Sequence, residues 1–327
     1  MSAAQQQSLK TAYFGKIPSR GDFVKNANHP QLVATLDSWL AATMERLAQD
    51  PGWKTLYDQA RPLDFAFLGS RSKLAVAGHF IPSRDASNRR FPFLAAAPMD
   101  AGRPLEFIAR SPMALSRIWS QLSGATAELE RLPDASGALH VLGELVLQAA
   151  PASNDGFGSF VDLQTIERVE QMLRHNGHTL RLHDTIIAIG LLLQPVMSSA
   201  SSHLEKGLIL PLPEDPLYRN LMAQFWMTLL TPFLARADFE LSLFIGLIGG
   251  KERLAVGFKG ASSGTLCSLL SSPQALQEGN VVLEETPWVA SHLRDSHGLA
   301  KLSSYLDQPR LSLRQAIDTF REVFVGA

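Results

Sequence analysis

The sequence predicts an α/β protein of the α+β kind: a mixed or mostly antiparallel sheet flanked by helices, followed by a second, more helical α/β unit. Three patterns carry that reading. Leu32, Val33, Leu36, Trp39, Leu40, Met44 and Leu47 recur at three- and four-residue spacing, as one buried helical face requires. Two strand-like segments, 64–68 and 74–81, are joined by the short Gly/Ser turn at 69–73, most simply an antiparallel hairpin. A comparable arrangement returns late in the chain: a helical stretch, the apolar run 241–248, the turn Gly249-Gly250-Lys251-Glu252, and then 253–257.

The remaining elements follow in order. Residues 11–17 read as a short strand ended by Pro18, because proline removes a ladder donor and turns its predecessor away from helical geometry. Pro30 opens the first helix and Asp50-Pro51-Gly52 closes it, with Trp39 as a core anchor. Residues 91–99 form a further buried strand. Helical patterns then cover 107–122, 125–132 and 139–149, and the small, polar 151–159 stretch is a surface loop. A charged helix is expected over 162–175, a turn at Asn176-Gly177, one or two strands over 179–193, and a serine-rich loop over 198–202. Residues 208–212 are apolar and end in Pro213, while Leu221, Met222, Phe225, Trp226, Leu229, Leu230 and Phe233 repeat a helical face. Residues 287–324 are mostly helical with a break at Pro309.

Trp39 and Trp226 each sit in a helix that precedes a hairpin, and Lys73-Leu74-Ala75-Val76-Ala77 is echoed by Arg253-Leu254-Ala255-Val256-Gly257. An old duplication and the shared residue preferences of hairpins both produce such an echo. The expected division is a disordered tail at 1–10, an N-terminal domain at 11–180 and a C-terminal α/β domain at 181–327.

A chain of 327 residues is long enough for about two domains. Its 30 basic and 31 acidic side chains nearly cancel, which argues against nucleic acid as the main partner, since phosphate binding needs a basic surface. The single cysteine, Cys267, has no partner for an internal disulfide, so the reducing cytoplasm is the simplest location. Its neighbours Leu266, Leu269 and Leu270 mark it as a small buried hydrophobe. Residues 1–8 lack the apolar run of a signal peptide. The most apolar stretch, 186–193, is far shorter than the ~20 residues needed to cross a bilayer. The expectation is a soluble cytoplasmic protein with no direct membrane insertion.

The best functional lead is a repeat. Ile17-Pro18-Ser19-Arg20 returns unchanged as Ile81-Pro82-Ser83-Arg84. Each copy follows an apolar stretch, exposes arginine and aspartate, and returns to phenylalanine, at Gly21-Asp22-Phe23 and at Asp85 through Arg89-Arg90-Phe91. The candidate interaction or loop-clamp residues are therefore Arg20, Asp22, Ser83, Arg84, Asp85, Arg89 and Arg90. Two readings stand. The charges form an internal network that ties both loops to the sheet edge, each exposed pair contributing about 0–1 kcal/mol. Alternatively they recognise acidic or phosphorylated segments, for which bidentate arginine is suited.

Phe14-Gly15-Lys16-Ile17-Pro18-Ser19-Arg20-Gly21-Asp22-Phe23, followed by the helical pair Trp39-Leu40, resembles the type VI secretion-associated family TagF/ImpM. The resemblance continues through Gly78, Pro82-Ser83-Arg84-Asp85, Arg90 and Phe91-Pro92, and covers about 13–99. It departs at Ala86-Ser87-Asn88-Arg89, where the family usually carries a hydrophobic residue and a glycine. Asn88 stands near that glycine, and asparagine tolerates positive φ, so the turn is expected to survive. The later run 241–248 lacks the tryptophans of a corresponding family strand.

The resemblance implies a cytoplasmic, non-enzymatic, post-translational repressor of type VI secretion assembly or firing. It would act by binding a forkhead-associated scaffold protein, without a cofactor. Two alternatives come from other classes: a structural scaffold subunit of the apparatus, and a serine hydrolase at Ser262. The latter rests on Gly260-Ala261-Ser262-Ser263-Gly264, which fits the G-x-S-x-G nucleophile pattern. Its acid and base would have to come from the awkwardly close Asp295 and His297, and no glycine-rich oxyanion loop is visible. His175, His178 and His183 near Asp184 invite a metal, but a turn separates the first two and no further ligands complete a tetrahedral set. They are read as surface loop histidines. Gly249-Gly250-Lys251-Glu252 lacks the first glycine and final Ser/Thr of a phosphate loop.

Overall fold

Apolar residues alternate along the strands with period two, so each strand feeds two cores, one on either face of a common sheet. Phe65 faces one core while Ala66 and Leu68 face the other, and Phe93, Ala95 and Ala97 oppose Leu94 and Ala96 in the same way. The computed structural model describes residues 9–26, 28–149, 156–199, 204–293 and 296–326.

The chain begins with strands β1 (Leu9–Lys10), β2 (Ala12–Gly15) and β3 (Val24–Lys25), then helices α1 (Pro30–Leu47) and α2 (Trp53–Gln59). Strands β4 (Leu63–Gly69), β5 (Leu74–Ile81) and β6 (Phe93–Asp100) form a meander, followed by the long helix α3 (Pro104–Arg131). Next come α4 (Ser136–Glu144), β7 (Val146–Leu147), α5 (Phe157–Leu163), α6 (Ile166–His175) and α7 (Leu182–Ser199). The second half continues with β8 (Gly207–Pro211), α8 (Pro216–Leu234), β9 (Glu240–Ile248), β10 (Lys251–Gly257), α9 (Ser263–Leu270), α10 (Pro273–Gly279) and β11 (Asn280–Val282). It ends in α11 (Val289–His292), α12 (His297–Leu306) and α13 (Leu313–Phe324).

The main sheet has nine strands in the order β11-β8-β10-β9-β4-β5-β6-β2-β3, and β1 pairs separately with β7. All its pairings are antiparallel except β11 with β8. The expected boundary at 180/181 falls between α6 and α7. Strands from both sides of it meet where β4 pairs with β9, Phe65 opposite Phe244.

One face is aromatic. Trp39 of α1 packs against Phe65, Phe67 and Phe244 at ring separations of 5.7, 5.1 and 6.2 Å, and Tyr57 of α2 and Leu266 of α9 join that core. Gly78 lies opposite Phe65 in the β4–β5 ladder, where a side chain would run into the Phe65 ring. The other face is lined by small residues, among them Ala66, Ala75, Ala77, Ala95 and Ala97. Helices α3 and α8 lie against one another there, and their tryptophans are tied to strand carbonyls: Trp119 Nε1 donates to that of Phe65 at 3.0 Å and Trp226 Nε1 to that of Pro211 at 2.9 Å.

The mixed, mostly antiparallel sheet flanked by helices agrees with the sequence reading, and Trp39, 4% exposed, is a core anchor. Several elements differ. Residues 179–193 form no strand; most of them belong to α7. Residues 186–189 are all fully buried, and an apolar run surrounded by α8, α11, α12 and α13 carries no period that separates helix from strand. The predicted helix over 162–175 is two helices. Thr165 caps α6 by accepting from Arg168 N, and it bridges to Ser312 of the C-terminal segment. Helix α3 runs unbroken through Gly124, whereas 139–149 divides into α4 and β7.

The helices bearing Trp39 and Trp226 pack on opposite faces of the sheet, so the echo between the halves is not a superposable repeat. Of the expected tail at 1–10, Leu9–Lys10 form β1; of the loop at 151–159, residues 157–159 belong to α5; and of the serine-rich loop at 198–202, residues 198–199 end α7. Residues 1–8, 151–155 and 200–203 lie outside the described residues. Among the described residues, no helix is long and apolar enough to cross a membrane.

Gly190 of α7 faces the Phe324 ring closely enough that a Cβ would overlap it, whereas Gly124 of α3 meets open space. Urea denaturation should therefore show Gly190→Ala destabilising by about 1–3 kcal/mol through overpacking, and Gly124→Ala stabilising by roughly 0.5–1 kcal/mol.

Candidate functional site

The two Ile-Pro-Ser-Arg copies lie side by side and have different backbones. In the first, Arg20 N donates to the Ile17 carbonyl at 3.1 Å, closing a turn with proline in its favoured second position. The second copy runs on as extended chain. Phe91 N donates to the Ser83 carbonyl at 3.1 Å, Asp85 N to that of Arg89 at 3.2 Å, and Arg84 bridges Arg90 across the resulting lobe. Asn88 closes the lobe at φ 60° and is the one described residue other than glycine with positive φ. Its N–H donates to the Asp85 carbonyl at 2.9 Å. The expected left-handed turn is thus present, on the asparagine.

Gly15 brings the loops together. It pairs with Phe93 at φ 137°, and a side chain there would collide with the Pro92 carbonyl. That close approach lets Lys16 reach Asp85 at 3.0 Å, with both side chains buried. Asp85 Oδ2 also accepts from Arg89 Nε at 2.7 Å, while Oδ1 accepts from the backbone N–H groups of Ser87 and Arg89 at 2.9 and 3.0 Å. Burial pushes the Asp85 carboxyl up. The bonds from Arg89, Lys16 and Ser87 outweigh it and hold the group well below the usual carboxylate range. The loops are further stitched by Ala86 N to the Arg20 carbonyl at 2.8 Å and by Arg89 Nη2 to the Gly21 carbonyl at 2.6 Å. Over this seam Phe23 stacks on Phe14 at 5.3 Å and meets Phe91 edge-on at 4.9 Å, with Lys16 Nζ 4.9 Å from its ring centre.

The candidate residues therefore divide. Asp85 and Arg89 form the clamp. Arg20 turns outward to Asp134, at 3.4 Å, and to the Ser136 hydroxyl at the start of α4. Arg90 grips Asp58 of α2 with two bonds of 2.7 and 2.6 Å. Asp22 accepts from the N–H of Phe23 at 2.8 Å and stays exposed. Ser83 is held by its backbone: its N–H donates to the Tyr57 hydroxyl at 2.9 Å, which donates to its carbonyl at 3.0 Å. Burial raises the Tyr57 phenol well above its ordinary value, so that group stays a neutral clasp. Arg84 is exposed and makes no side-chain hydrogen bond or ion pair among the described residues, although its charge joins the Arg90 bond in lowering the Asp58 carboxyl.

Sequence reasoning missed Lys16, Tyr57, Asp58, Asp134 and Ser136 as partners. Lys16 stood in the Phe-Gly-Lys motif between apolar neighbours, a place where a lysine is buried only with a counter-charge. Residues 53–59 carried no comparable signal.

Beside the clamp is a cavity of about 520 Å³. Ser83, Tyr57, Asp58, Arg61, Arg84 and Glu130 line it, and Pro18, Pro62 and Pro82 also border it. Burial raises the Glu130 carboxyl, against the lowering influence of His79 and Arg131.

The other chemical leads resolve differently. His178 and His183 are buried, which corrects their reading as surface loop residues. His178 Nε2 donates to the Leu212 carbonyl at 3.0 Å and its Nδ1 lies 3.1 Å from Glu284. Glu284 also takes Lys251 and Arg253 at 2.9 and 2.7 Å. Burial pushes Glu284 up, but these three cationic or donor groups bring it down to about 2. His183 is held between Asp184 at 2.6 Å and Ser303 at 2.9 Å. Tertiary contacts made by α7, β10 and the segment before α11 create these environments, which local sequence does not reveal. No group of described residues is arranged to hold a metal. Ser262 precedes α9 on the aromatic face, whereas His297 begins α12 on the opposite face; Asp295 lies outside the described residues. Cys267 is partly buried, with its Sγ 3.8 Å from the Ser271 hydroxyl.

Residues 12–140 match the TagF N-terminal domain family, described as type VI secretion system-associated. No curated protein matches the chain. Among solved structures, that of PA0076 from Pseudomonas aeruginosa PAO1 is 25% identical, over 43% of this chain and 64% of that chain, with a TM-score of 0.35. The chain thus spans less than two thirds of that protein's length.

Charge reversal separates the arginines. Arg90→Glu, placed against Asp58, should lower the thermal midpoint clearly, whereas Arg84→Glu should change stability by no more than about 0.5 kcal/mol. A second outcome concerns acid. Asp85 and Glu284 both titrate below their ordinary values in the folded state, from 3.8 and 4.5 respectively. Their stabilisation is fully present above those values and is lost as the pH falls, for Glu284 between 4.5 and about 2. Urea midpoints should decline through that window, and Asp85→Asn should be less stable at neutral pH with a shallower decline.

Proposed function

We propose, on the premise that residues 12–140 belong to the TagF N-terminal domain family and tie the chain to type VI secretion, that it is a cytoplasmic repressor of the secretion apparatus. It acts after translation, on assembly or firing, by stoichiometric binding and without turnover. Its partner is the forkhead-associated scaffold protein of the same secretion cluster.

The family match is the observation that carries this reading, and the clamp gives it a physical form. Three residues of the matching motifs, Gly15, Lys16 and Asp85, are engaged internally in locking two loops against each other. Residues locked in this way build a framework around which other side chains are displayed. A near-neutral chain of 30 basic and 31 acidic residues also suits protein recognition better than binding to a polyanion.

Pull-down of the full chain with the scaffold is the direct test, together with secretion measured after deletion and after overexpression. The expected result is stoichiometric capture, raised secretion on deletion and suppressed secretion on overexpression. Failure to bind, with secretion unchanged in both strains, would remove the reading. Co-purification with the assembled apparatus and not with its regulators would replace it with a structural subunit.

A further inference from the structure

The cavity beside the clamp holds polar groups that the fold itself leaves unused. Ser83 is 6% exposed, and its hydroxyl, which is shielded from solvent, has no hydrogen-bond partner among the described residues. Such a group is costly to bury unless something pairs with it. Arg61 and Arg84 line the same cavity, are exposed, and have no ion-pair partner among the described residues. Asp58 lines the cavity too; Arg90 holds it through two short bonds and Arg84 acts on it through its charge, while the Tyr57 hydroxyl is taken up by the Ser83 backbone.

We infer that this cavity receives one acidic side chain, a carboxylate or a phosphate, carried on an extended segment of a protein partner. Arg84 and Arg61 bind its oxyanion and the Ser83 hydroxyl donates to it. The inference deepens the binding role proposed above and rests on it.

Guanidinium groups match carboxylate and phosphate oxygens in geometry as well as charge, and a hydroxyl can rotate to donate where the third oxygen falls. Glu130 and the Arg90-paired Asp58 on the wall set the limit: a single oxyanion beside the arginines is accommodated, whereas a run of negative charges would meet these carboxylates. This favours an acidic residue in a peptide over a nucleic acid. Pro18, Pro62 and Pro82 contribute rigid, apolar surface with no backbone N–H, against which an extended segment can lie. Tyr57 is a positioning residue that fixes the backbone of Ser83.

The test titrates two small probes, N-acetyl-aspartate amide and N-acetyl-phosphothreonine amide, into the full chain, followed by NMR, with Arg84→Ala, Ser83→Ala and Glu130→Gln in parallel. At least one probe should bind the unaltered chain. It should bind about tenfold more weakly to Arg84→Ala, more weakly to Ser83→Ala, and more tightly to Glu130→Gln. All three variants should melt within about 2 °C of the parent. Preference between the probes tells carboxylate from phosphate. If neither probe binds, or if the Arg84 and Ser83 variants bind as the parent does, the inference is overturned; should Arg84→Ala not fold, Ser83→Ala decides. Scaffold capture by the same variants separates the two levels. Undiminished capture by a variant that has lost the probe overturns the cavity as a partner contact and leaves the repressor reading intact. Loss of the probe and of scaffold capture together supports both.

Discussion

The Asp85 carboxylate is the point on which the N-terminal loops depend. Burying a lone lysine or a lone aspartate is unfavourable, and burying both is tolerable only when their remaining hydrogen-bonding capacity is filled. Asp85 meets that condition through Lys16, the side chain of Arg89 and two backbone N–H groups. The pair also requires close backbone approach, which Gly15 permits by lacking a side chain opposite Pro92. This ionic contact, with the bonds from Ala86 to Arg20 and from Arg89 to Gly21, fixes the spacing of two loops that are distant in sequence.

The sheet supplies the platform. Strands β2, β5 and β6 carry the two loops, and the pairing of β4 with β9 extends the same sheet into the second half of the chain. Its faces differ in character. Bulky aromatic rings fill the side toward α1, whereas alanines on the other side allow α3 and α8 to lie close. Because α3 ends near the loop end of β5, its Glu130 reaches the cavity that Ser83 and Arg84 line. Helix α2 contributes Tyr57 and Asp58 to the same region. The cavity is thus assembled from separate elements around the clamp.

Much of this was legible in the residue pattern. The α1 face, both hairpins, the antiparallel character of the sheet and the core role of Trp39 follow from period and composition, because alternation and helical spacing survive tertiary packing. The α7 segment was not legible. A run of aliphatic residues buried on every side has lost the polar face that distinguishes the two periods. Lys16 as the counter-charge of Asp85 was also hidden, since 69 residues separate them and only the fold brings them together. The same holds for His178 beside Glu284.

The repeated Ile-Pro-Ser-Arg marks the boundary between the two kinds of information. By itself the sequence determined that each copy ends an apolar stretch at a proline, that charged residues follow, and that Asn88 could take the left-handed turn. Tertiary structure alone decided that the first copy bends while the second stays extended. Four identical residues have identical local preferences, so the difference must come from their neighbours. Asp85 N pairs with Arg89 and Phe91 N with Ser83 in the second lobe, whereas Arg20 N in the first bonds back to Ile17. Where each backbone donor finds its acceptor, and not the tetrapeptide's own propensity, sets the two conformations.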